Sequence, residues 1–248
     1  MSVPSLSIII PSYRKVGVIK ETIETIIEEM HLLDIKFELI VVVDGDIDGT
    51  SKVLNSLTLK ELSFFVSVKN YGKGHAVKQG VSRASNFKYC ALFDADLDLS
   101  PHSLRDAIEI LESEDNVGLV LGSKFHPDSI VNYSHFRGFQ SKTYSLIVKR
   151  LFSIGVSETQ TGIKVGRMDL MKPILMDMNT DGFAFDLELL LGLKDIDCTF
   201  QEIPVVLNQG QNSTVNIFSI YATIRETLNI YRRHKLNRKL ETKCQHSR

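Results

Sequence analysis

The strongest constraint on the fold is an alternation of strand-like and helix-like segments that runs from residue 6 to residue 122. Short apolar runs, several of them rich in β-branched residues, predict strands at 6–10, 37–43, 62–68, 89–93 and 117–122. Helical spacing of apolar residues, or capping residues such as Ser100 before Pro101, predicts helices at 18–33, 50–57, 74–85 and 101–113. Strands that alternate with helices are typical of βαβ units, so we expect an α/β fold with a mainly parallel central sheet flanked by helices.

The second half of the sequence is less regular, but no linker or internal repeat separates it from the first half. Its patterns predict a helix at 138–154, a turn and strand at 160–167, a helix at 183–193, a strand at 198–208 and an amphipathic helix at 216–240. Pro204 lacks the backbone N–H that a central strand needs, which favours an edge strand or a bulge. We therefore expect a single domain across all 248 residues.

Charge and cysteine usage argue against several classes of protein. The formal net charge is −1, which does not favour nucleic-acid binding. Cys90, Cys198 and Cys244 are far apart and show no CxxC spacing, so we expect neither a disulfide framework nor a zinc site, and a reducing cytoplasmic location fits. The sequence has no targeting signal and no run of about 18 apolar residues, so we expect any membrane contact to be at the surface.

Polar residues follow three of the predicted strands. Pro11, Ser12 and Tyr13 follow the first strand, Asp44 follows the second, and the aspartates of FDADLDLSP (93–101) follow the fourth. In open α/β sheets, ligands bind outside the carboxyl ends of the strands. Three polar groups at these ends predict a binding site at that edge.

Asp94, Asp96 and Asp98 alternate directly after the strand predicted at 89–93. If the strand persists, alternate residues point to one face, so Asp94 and Asp96 converge and Asp98 can join them. Converging carboxylates repel and need a cation, and their oxygens suit Mg²⁺ or Mn²⁺. The alternative interpretation is a solvated loop in which Asp98 favours the start of the next helix.

Two glycine-containing loops belong to the same predicted edge. In DGDIDGT (44–50) the glycines suit a tight turn, whereas Asp44 sits where it can read a bound base by hydrogen bonding. In KNYGKGHAVKQG (69–80) glycines flank Lys73 just before a helix, and backbone N–H groups at a helix start attract phosphate. The spacing is not that of a P-loop, and a plain loop is the simpler interpretation.

Taken together, PSY, IVVVDGDIDGT, NYGKGHAVKQG, FDADLDLSP and GSK resemble glycosyltransferase family 2 in order and approximate spacing over the first 125 residues or so. In the second half, ETQTGIKVGR, FAFDLELL and EIPVVLNQGQNSTV resemble the polyprenyl-phosphate sugar transferases, especially the dolichyl-phosphate glucosyl- and mannosyltransferase branch. The resemblance implies a GT-A (Rossmann-like) fold, a UDP- or GDP-sugar donor, a divalent metal, and inverting transfer of glucose or mannose to polyprenyl phosphate. It also implies a nucleotide-sugar-binding half at 1–125 and an acceptor half at 126–215. The remaining residues, 216–248, are predicted from their own pattern to form the amphipathic helix and a basic tail.

The resemblance further assigns roles to single positions. The role of Lys73 is instead predicted from its position between two glycines at a helix start. The residues expected to bind the donor are Pro11, Tyr13, Asp44, Lys73, Asp94 and Gln160. The expected metal ligands are Asp94, Asp96 and Asp98, and the candidate catalytic residues are Asp96, Lys124, Lys164 and Asp186. Lys124 and Lys164 are expected to hold the acceptor phosphate, and Asp186 to position it. Thr161, Gly162 and Glu188 complete the acceptor-side motifs.

The sequence departs from the family pattern in ways that affect nucleotide choice more than metal binding. Lys15 replaces an acidic residue, since PSYRK stands for PTYNE, and Val43 replaces the first aspartate of DDGS. Asp98 stands where glutamine is frequent. Asn212-Ser213-Thr214 replaces a second GSK, which weakens the expected phosphate contact there.

Two segments are candidates for contact with a membrane surface. Residues 139–156 interleave aromatic and aliphatic residues with lysine and arginine, and the chain from Arg225 onward carries eight Lys/Arg against two Glu. Basic amphipathic helices bind anionic membrane surfaces, which predicts a peripheral location at the cytoplasmic face of a membrane. A core-packed helix with a solvated tail is the alternative interpretation.

Two other functions stay open from the sequence. One is transfer to a polysaccharide or protein acceptor, and the other is a non-catalytic relative that binds nucleotide sugar. The altered PSYRK and DGDIDGT motifs leave the non-catalytic interpretation open, and the intact Asp94 and Asp96 argue against it.

Overall fold

A seven-stranded sheet lies at the centre of the structure, a computed structural model that describes residues 3–33, 35–131, 135–207 and 217–245. Side chains are described in these ranges except at 135–143, 217–220 and 237–245. The strands in chain order are β1 (Ser5–Ser12), β2 (Lys36–Val43), β3 (Leu62–Val66), β4 (Tyr89–Phe93), β5 (Val117–Ser123), β6 (Ile163–Arg167) and β7 (Thr199–Pro204). Across the sheet the order is β3-β2-β1-β4-β6-β5-β7.

The first four strands form a parallel block, as the alternation of strands and helices predicts. β1 pairs in parallel with β2 and β4, and β2 pairs in parallel with β3. Ser12 at the end of β1 lies opposite Val43 at the end of β2. The carboxyl ends of these two strands are therefore level, and the residues that follow them emerge side by side.

Strand β6 runs in the opposite direction to both of its neighbours. It pairs antiparallel with β4 and with β5, so that Lys164 lies opposite Leu92 on one side and Leu121 on the other. β5 also pairs in parallel with β7, an edge strand that ends at Pro204. One sheet thus contains strands from both halves of the sequence, and the edge position of β7 confirms the prediction made from Pro204.

Helices cover both faces of the sheet. In the described part of the chain they are α1 (Ile19–His31), α2 (Thr50–Asn55), α3 (Lys73–Arg83), α4 (His102–Ser113), α5 (His135–Phe152), α6 (Met168–Asp177), α7 (Phe185–Asp195) and α8 (Ile217–Gln245). The sequence patterns did not predict α6, because Pro173 lies inside it and proline usually ends a helix. The predicted start of α4 at Pro101 was wrong by one residue, and the Ser100 hydroxyl lies 3.4 Å from the backbone N of His102.

Two apolar clusters fix these helices on the sheet. One joins the strands to α1 and α4, through residues such as Ile26 and Leu104. The other joins the opposite face to α3, α6 and α7, through residues such as Val77, Met171 and Leu190. Because both faces are covered, the central strands are almost continuously apolar, and the polar residues lie at their ends.

The end of the chain contains the long helix that the sequence predicts. α8 corresponds to the amphipathic helix expected at 216–240, and α5 to the one expected at 138–154. None of the described helices combines the length and the apolarity that crossing a bilayer requires. Asn212-Ser213-Thr214 and the last three residues of the basic tail lie outside the described residues, so the expectations placed on them are not addressed.

Candidate active site

The polar residues singled out in the sequence lie at one edge of the sheet, formed by the ends of β1, β2 and β4 and called here the carboxyl edge. The backbone N–H of Asp44 donates to the carbonyl oxygen of Ser12 at 2.8 Å, which joins the ends of β1 and β2. The backbone N–H of Asp94 donates to the carbonyl oxygen of Gly162 at 3.0 Å, which joins the end of β4 to the loop before β6. Residues of the first and second halves therefore meet at this edge.

Asp44 is buried at the end of β2, with 3% of the residue exposed. Its carboxylate accepts the backbone N–H of Tyr71 at 3.0 Å and that of Gly72 at 2.7 Å. Backbone donors directed at a carboxylate form strong hydrogen bonds, which offset the cost of burying the charge. In this structure Asp44 shapes the loop before α3, and its contact with a nucleotide base stays a prediction.

Asp94 forms an ion pair with Lys73, the first residue of α3. Nζ of Lys73 lies 2.6 Å from Oδ1 of Asp94, and 5.8 Å from the centre of the Phe185 ring. Burial on its own lowers the pKa of Lys73, but the nearby carboxylates of Asp94 and Asp186 outweigh it and raise the pKa. The positive charge of Lys73 is therefore stabilised by carboxylates from both halves of the sequence, Asp94 and Asp186.

Asp96 forms an ion pair with a different lysine. β4 ends at Phe93 and the chain turns at Ala95 and Asp96, so the strand does not persist through the aspartates, and the convergence of Asp94 and Asp96 stays a prediction. Oδ2 of Asp96 lies 3.0 Å from Nζ of Lys15. About a third of each aspartate side chain is exposed, 36% for Asp94 and 33% for Asp96, so both carboxylates are accessible from solvent.

Asp98 lies within the same turn. Its backbone N is 3.4 Å from Oδ1 of Asp96, so the turn presents a backbone N–H to that carboxylate. Over the residues that the structure describes, no group of three His, Cys, Asp or Glu side chains is arranged to hold a metal ion. The assignment of Asp94, Asp96 and Asp98 as metal ligands stays a prediction.

The end of β1 supplies the next part of the edge. Pro11 lies in β1 opposite Val42, and Tyr13 follows the strand with 38% of the residue exposed. The hydroxyl of Ser12 is buried, and it has no hydrogen-bond partner among the described residues. Buried hydroxyls are normally paired, so Ser12 Oγ is an exception at the end of β1. Donor binding by Pro11 and Tyr13 stays a prediction.

The start of α3 packs closely against residues 180–182. The backbone N–H groups of Gly74 and His75 donate to the carbonyl oxygens of Gly182 and Asp181, at 3.3 and 3.1 Å. Gly72 has a φ of 119°, and a Cβ at this position would overlap the carbonyl oxygen of Asp181. The expectation that these N–H groups attract phosphate was wrong for Gly74 and His75, because both are already bonded.

Lys124 follows β5 and is held by Glu158, a residue that the sequence patterns did not single out. Nζ of Lys124 lies 2.8 Å from Oε1 of Glu158, and the backbone N–H of Lys124 donates to Oε2 at 2.8 Å. Glu158 is in turn positioned by Glu202 of β7, whose Oε1 accepts the backbone N–H of Ser157 at 2.8 Å and that of Glu158 at 3.3 Å. The lysine predicted to face a phosphate is thus fixed by Glu158, which Glu202 positions in turn.

The loop 160–162 connects this region to Asp94. The Gln160 side-chain amide donates to the carbonyl oxygen of Phe183 at 3.3 Å, and the buried hydroxyl of Thr161 has no hydrogen-bond partner among the described residues. A Cβ on Gly162 would lie 2.7 Å from Oδ2 of Asp94. Glycine at this position therefore gives Asp94 its space. Donor contact by Gln160 stays a prediction.

Lys164 and Asp186 form a buried ion pair behind the carboxyl edge. Nζ of Lys164 lies 2.8 Å from Oδ1 of Asp186 and donates to the carbonyl oxygen of Thr161 at 2.8 Å. Only 1% of the Lys164 side chain is exposed. Burial raises the pKa of Asp186, and the positive charges of Lys164 and Lys73 oppose that rise. In this geometry the pair orders the loop that holds Thr161, and its contact with an acceptor stays a prediction.

The helices α5 and α8 pack against each other. The Tyr144 hydroxyl lies 2.9 Å from the Thr227 hydroxyl, and Glu226 accepts the backbone N–H of Ala184 at 3.1 Å. Glu188 of α7 accepts the backbone N–H of Thr180 at 2.9 Å and pairs with Arg233 of α8 at 3.0 Å. α8 is thereby connected to the segment 180–184 that packs on the start of α3.

Comparison with known proteins decides the family. The model of the family described as "Glycosyl transferase family 2" matches residues 7–175. The chain belongs to this family. As a family 2 glycosyltransferase it carries six of the seven strands, the carboxyl edge and the Thr161–Gly162 loop in or beside the matched region.

Curated relatives show which members of the family the chain is similar to. The chain is 27% identical over 228 residues to a dolichyl-phosphate beta-glucosyltransferase of Dictyostelium discoideum, an alignment that covers 86% of this chain and 69% of the relative. It is 28% identical over 202 residues to the Homo sapiens protein of the same name, covering 75% of this chain and 61% of the relative. The chain therefore spans about two thirds of the length of these relatives.

Solved structures share the fold. Glucosyl-3-phosphoglycerate synthase from Mycobacterium tuberculosis, crystallised with Mn²⁺, UDP and glucosyl-3-phosphoglycerate, superposes with a TM-score of 0.71 at 16% identity, over 92% of this chain and 80% of that one. Mannosyl-3-phosphoglycerate synthase from Rubrobacter xylanophilus gives a TM-score of 0.65 at 13% identity, over 98% of this chain and 75% of that one. Together with the sheet order, this confirms the predicted GT-A fold in a single domain.

Proposed function

We propose that this family 2 glycosyltransferase transfers glucose from a nucleotide-diphosphate sugar to a polyprenyl phosphate such as dolichyl phosphate. The relatives named dolichyl-phosphate beta-glucosyltransferase support both the sugar and the acceptor. The observation that carries the proposal is the position of Asp94, which pairs with Lys73 and donates its backbone N–H to the carbonyl oxygen of Gly162 in the loop before β6. A donor diphosphate and an acceptor phosphate that met here would be adjacent.

UDP is the nucleotide that we propose for the donor. The structural neighbour from Mycobacterium tuberculosis was crystallised with UDP, which supports this choice over GDP. The exposed ring of Tyr13 and the carboxylate of Asp44 are the groups at the ends of β1 and β2 that we propose contact the nucleoside. Lys73 is placed to oppose the negative charge of the diphosphate.

The carboxylate oxygens at the carboxyl edge suit a hard divalent cation. Asp94 and Asp96 offer carboxylate oxygens, which Mg²⁺ and Mn²⁺ prefer, and each side chain is about a third exposed. Two carboxylates with substrate phosphates are a common way to bind Mg²⁺, so a third protein ligand is not required. We propose that Asp94 and Asp96 hold the cation, with Asp98 as a further candidate. When bound, a divalent cation stabilises the negative charge that develops on the departing diphosphate.

The acceptor chemistry demands orientation more than proton transfer. A polyprenyl phosphate is already anionic at neutral pH, so its oxygen can attack the anomeric carbon while the bond to the diphosphate breaks. Direct displacement inverts the configuration at that carbon. We propose that Lys124, held by Glu158, orients the acceptor phosphate. Lys164 and Asp186 support the same site from behind, because they order the carbonyl of Thr161.

A lipid acceptor requires contact with a membrane surface. Leu146 and Ile147 of α5 are exposed, as are Tyr221, Ile224 and Leu228 of α8. α5 and α8 contact each other through Tyr144 and Thr227, so both apolar sets belong to one region of the molecule. We propose that this region rests on the bilayer, and the cytoplasmic face stays a prediction.

The direct test is transfer of radiolabelled glucose from UDP-glucose into solvent-extractable lipid, with dolichyl phosphate and Mg²⁺ or Mn²⁺ present. We expect label in the organic phase, attached to the lipid phosphate as a β-linked sugar. We expect no label there when dolichyl phosphate is omitted. Asp96→Asn should abolish transfer while the melting temperature stays within about 3 °C of the native value. Label that enters a saccharide or protein acceptor and never the lipid would overturn the proposal.

The donor can be identified by ligand-induced stabilisation of the native state. Molecules that bind the native state alone raise the unfolding midpoint, so a panel of UDP- and GDP-sugars with and without Mn²⁺ ranks the donors. We expect UDP-glucose with Mn²⁺ to give the largest shift. A GDP-sugar that exceeded it would replace UDP in the proposal.

A further inference from the structure

Lys15 makes an ion pair with the carboxylate that we propose binds the metal. Its Nζ lies 3.0 Å from Oδ2 of Asp96, and 23% of the Lys15 side chain is exposed, against 33% for Asp96. A positive charge inside the protein thus already occupies one oxygen of Asp96. This contact spans 81 residues of sequence, from the end of β1 to the turn after β4.

The backbone around Lys15 is fixed, so the lysine is not a freely moving surface residue. The backbone N–H of Lys15 donates to the Thr50 hydroxyl at 3.3 Å, and the next N–H, of Val16, donates to Oδ2 of Asp48 at 3.0 Å. The carbonyl oxygen of Lys15 accepts the backbone N–H of Ile19, the first residue of α1, at 2.9 Å. These three contacts anchor the lysine between α2 and α1 and direct its side chain toward Asp96.

Lys15 and Lys73 differ in what holds their ammonium groups. Lys73 pairs with Asp94 at 2.6 Å and also interacts electrostatically with Asp186. Among the described residues, Lys15 forms an ion pair with Asp96 alone. The two pairs are similarly exposed, so this second charge is what distinguishes them. A ligand that displaces Lys15 breaks one ion pair, whereas displacing Lys73 also moves its charge away from Asp186.

We propose that Lys15 is a built-in competitor for the divalent cation at Asp96. An ammonium group and a divalent ion that contact the same carboxylate repel each other at short distance, so Lys15 opposes metal binding at Asp96. Metal binding therefore favours displacement of Lys15, and the cost of that displacement lowers the affinity for free metal. The charge of a nucleotide diphosphate attracts the displaced ammonium group, so metal and donor bind together more favourably than metal alone. This inference rests on the cation site of the proposed function.

The test is a titration of the metal-free protein with Mn²⁺, without nucleotide, in which unbound Mn²⁺ is measured by electron paramagnetic resonance. Lys15→Met should lower the Kd for Mn²⁺ about tenfold, because the competing charge is removed. Lys15→Arg keeps the charge and should remain within about twofold of the native protein. Lys20→Met is the matched control, since Lys20 pairs with Glu24 on α1 and should change the Kd by less than about twofold.

A second background shows whether the effect acts through Asp96. In Asp96→Asn protein the competing contact is already lost, so adding Lys15→Met should change the Kd for Mn²⁺ by less than about twofold. The inference is overturned if Lys15→Met leaves the Kd unchanged or raises it. It is also overturned if Lys20→Met tightens binding equally, or if no variant binds Mn²⁺.

Glucose transfer measured on the same preparations separates this inference from the proposed function. Transfer to dolichyl phosphate with an unchanged Mn²⁺ affinity in Lys15→Met overturns the inference alone. Tighter Mn²⁺ binding in Lys15→Met supports the inference. If the native protein then forms no lipid-linked glucose, the proposed function alone is overturned.

Discussion

Glu158 holds Lys124 at two points, because one carboxylate oxygen accepts the lysine's backbone N–H and the other pairs with its ammonium group, both at 2.8 Å. The Glu158 side chain is 4% exposed and that of Lys124 is 20% exposed. The backbone of Lys124 and its charge are thus positioned by a single buried group. A fifth of the lysine side chain still reaches solvent, as the proposed phosphate contact requires.

Glu158→Gln should therefore weaken both folding and catalysis. The variant keeps the size of the side chain but removes the negative charge that Lys124 and its N–H require, and we expect a loss of about 2 kcal/mol in the free energy of unfolding. Urea denaturation measures this loss. Glu24→Gln, in the exposed pair with Lys20, is the control and should cost no more than about 0.5 kcal/mol. Equal losses in the two variants would contradict the assignment.

The buried pair of Lys164 and Asp186 should show strong non-additivity. Lys164→Met leaves the Asp186 carboxylate buried without its partner, and we expect a loss of about 3 kcal/mol or more. The double variant Lys164→Met/Asp186→Leu removes both charges and should cost less than the sum of the single variants by at least about 1 kcal/mol. A double-mutant cycle by denaturant unfolding provides the measurement. Strict additivity would mean that the two charges do not interact.

Gly72 should not tolerate a side chain. Its φ of 119° is unfavourable for other residues, and a Cβ would overlap the carbonyl oxygen of Asp181. Gly72→Ala should therefore cost about 2 kcal/mol or more in the free energy of unfolding, and should also lower transfer, because Lys73 is the next residue. Gly155→Ala is the matched control: a Cβ added there would have no atom within 4 Å, so we expect a change within about 0.5 kcal/mol.

Cys90 should make the protein less stable at alkaline pH. Burial raises the pKa of its thiol from 9.0 to about 12. Between these values the unfolded chain has lost the proton and the folded protein retains it, so the free energy of unfolding falls as pH rises, by about 1.4 kcal/mol per pH unit from this group. Unfolding of the native protein and of Cys90→Ala should be compared from about pH 8 to about pH 10.5, a range that spans the ordinary thiol pKa. We expect a shallower decline above about pH 9 in the variant, and parallel curves would contradict the assignment.

The sequence predicts the parallel block of the sheet well but not its completion. The apolar runs at 6–10, 37–43, 62–68, 89–93 and 117–122 each lie within or overlap a strand, because buried strands need continuous apolar residues. The direction of β6 was not predictable, because a short apolar run carries no information about which neighbours it joins. α6 was missed because Pro173 interrupts its pattern.

The position of the carboxyl edge was predictable from the sequence, but the ion pairs between its side chains were not. Strand ends place Asp44 and Asp94 near each other, since parallel strands share one carboxyl end. The partners Lys15 for Asp96 and Glu158 for Lys124 are 81 and 34 residues away in sequence, so no local pattern points to them. Glu158 stands at the start of ETQTGIKVGR, where it could have been noted only as an acidic residue before a strand.

The antiparallel strand β6 has a consequence for how such an enzyme can change its acceptor. Since β6 is hydrogen-bonded between β4 and β5, removing the second half would leave two open strand edges facing a gap in the middle of the sheet. Exchange of the second half would therefore also exchange the strand that joins β4 to β5, and a chimaera cut near residue 125 has to form both pairings again. We expect new acceptor specificity to arise more readily by substitutions within the intact sheet.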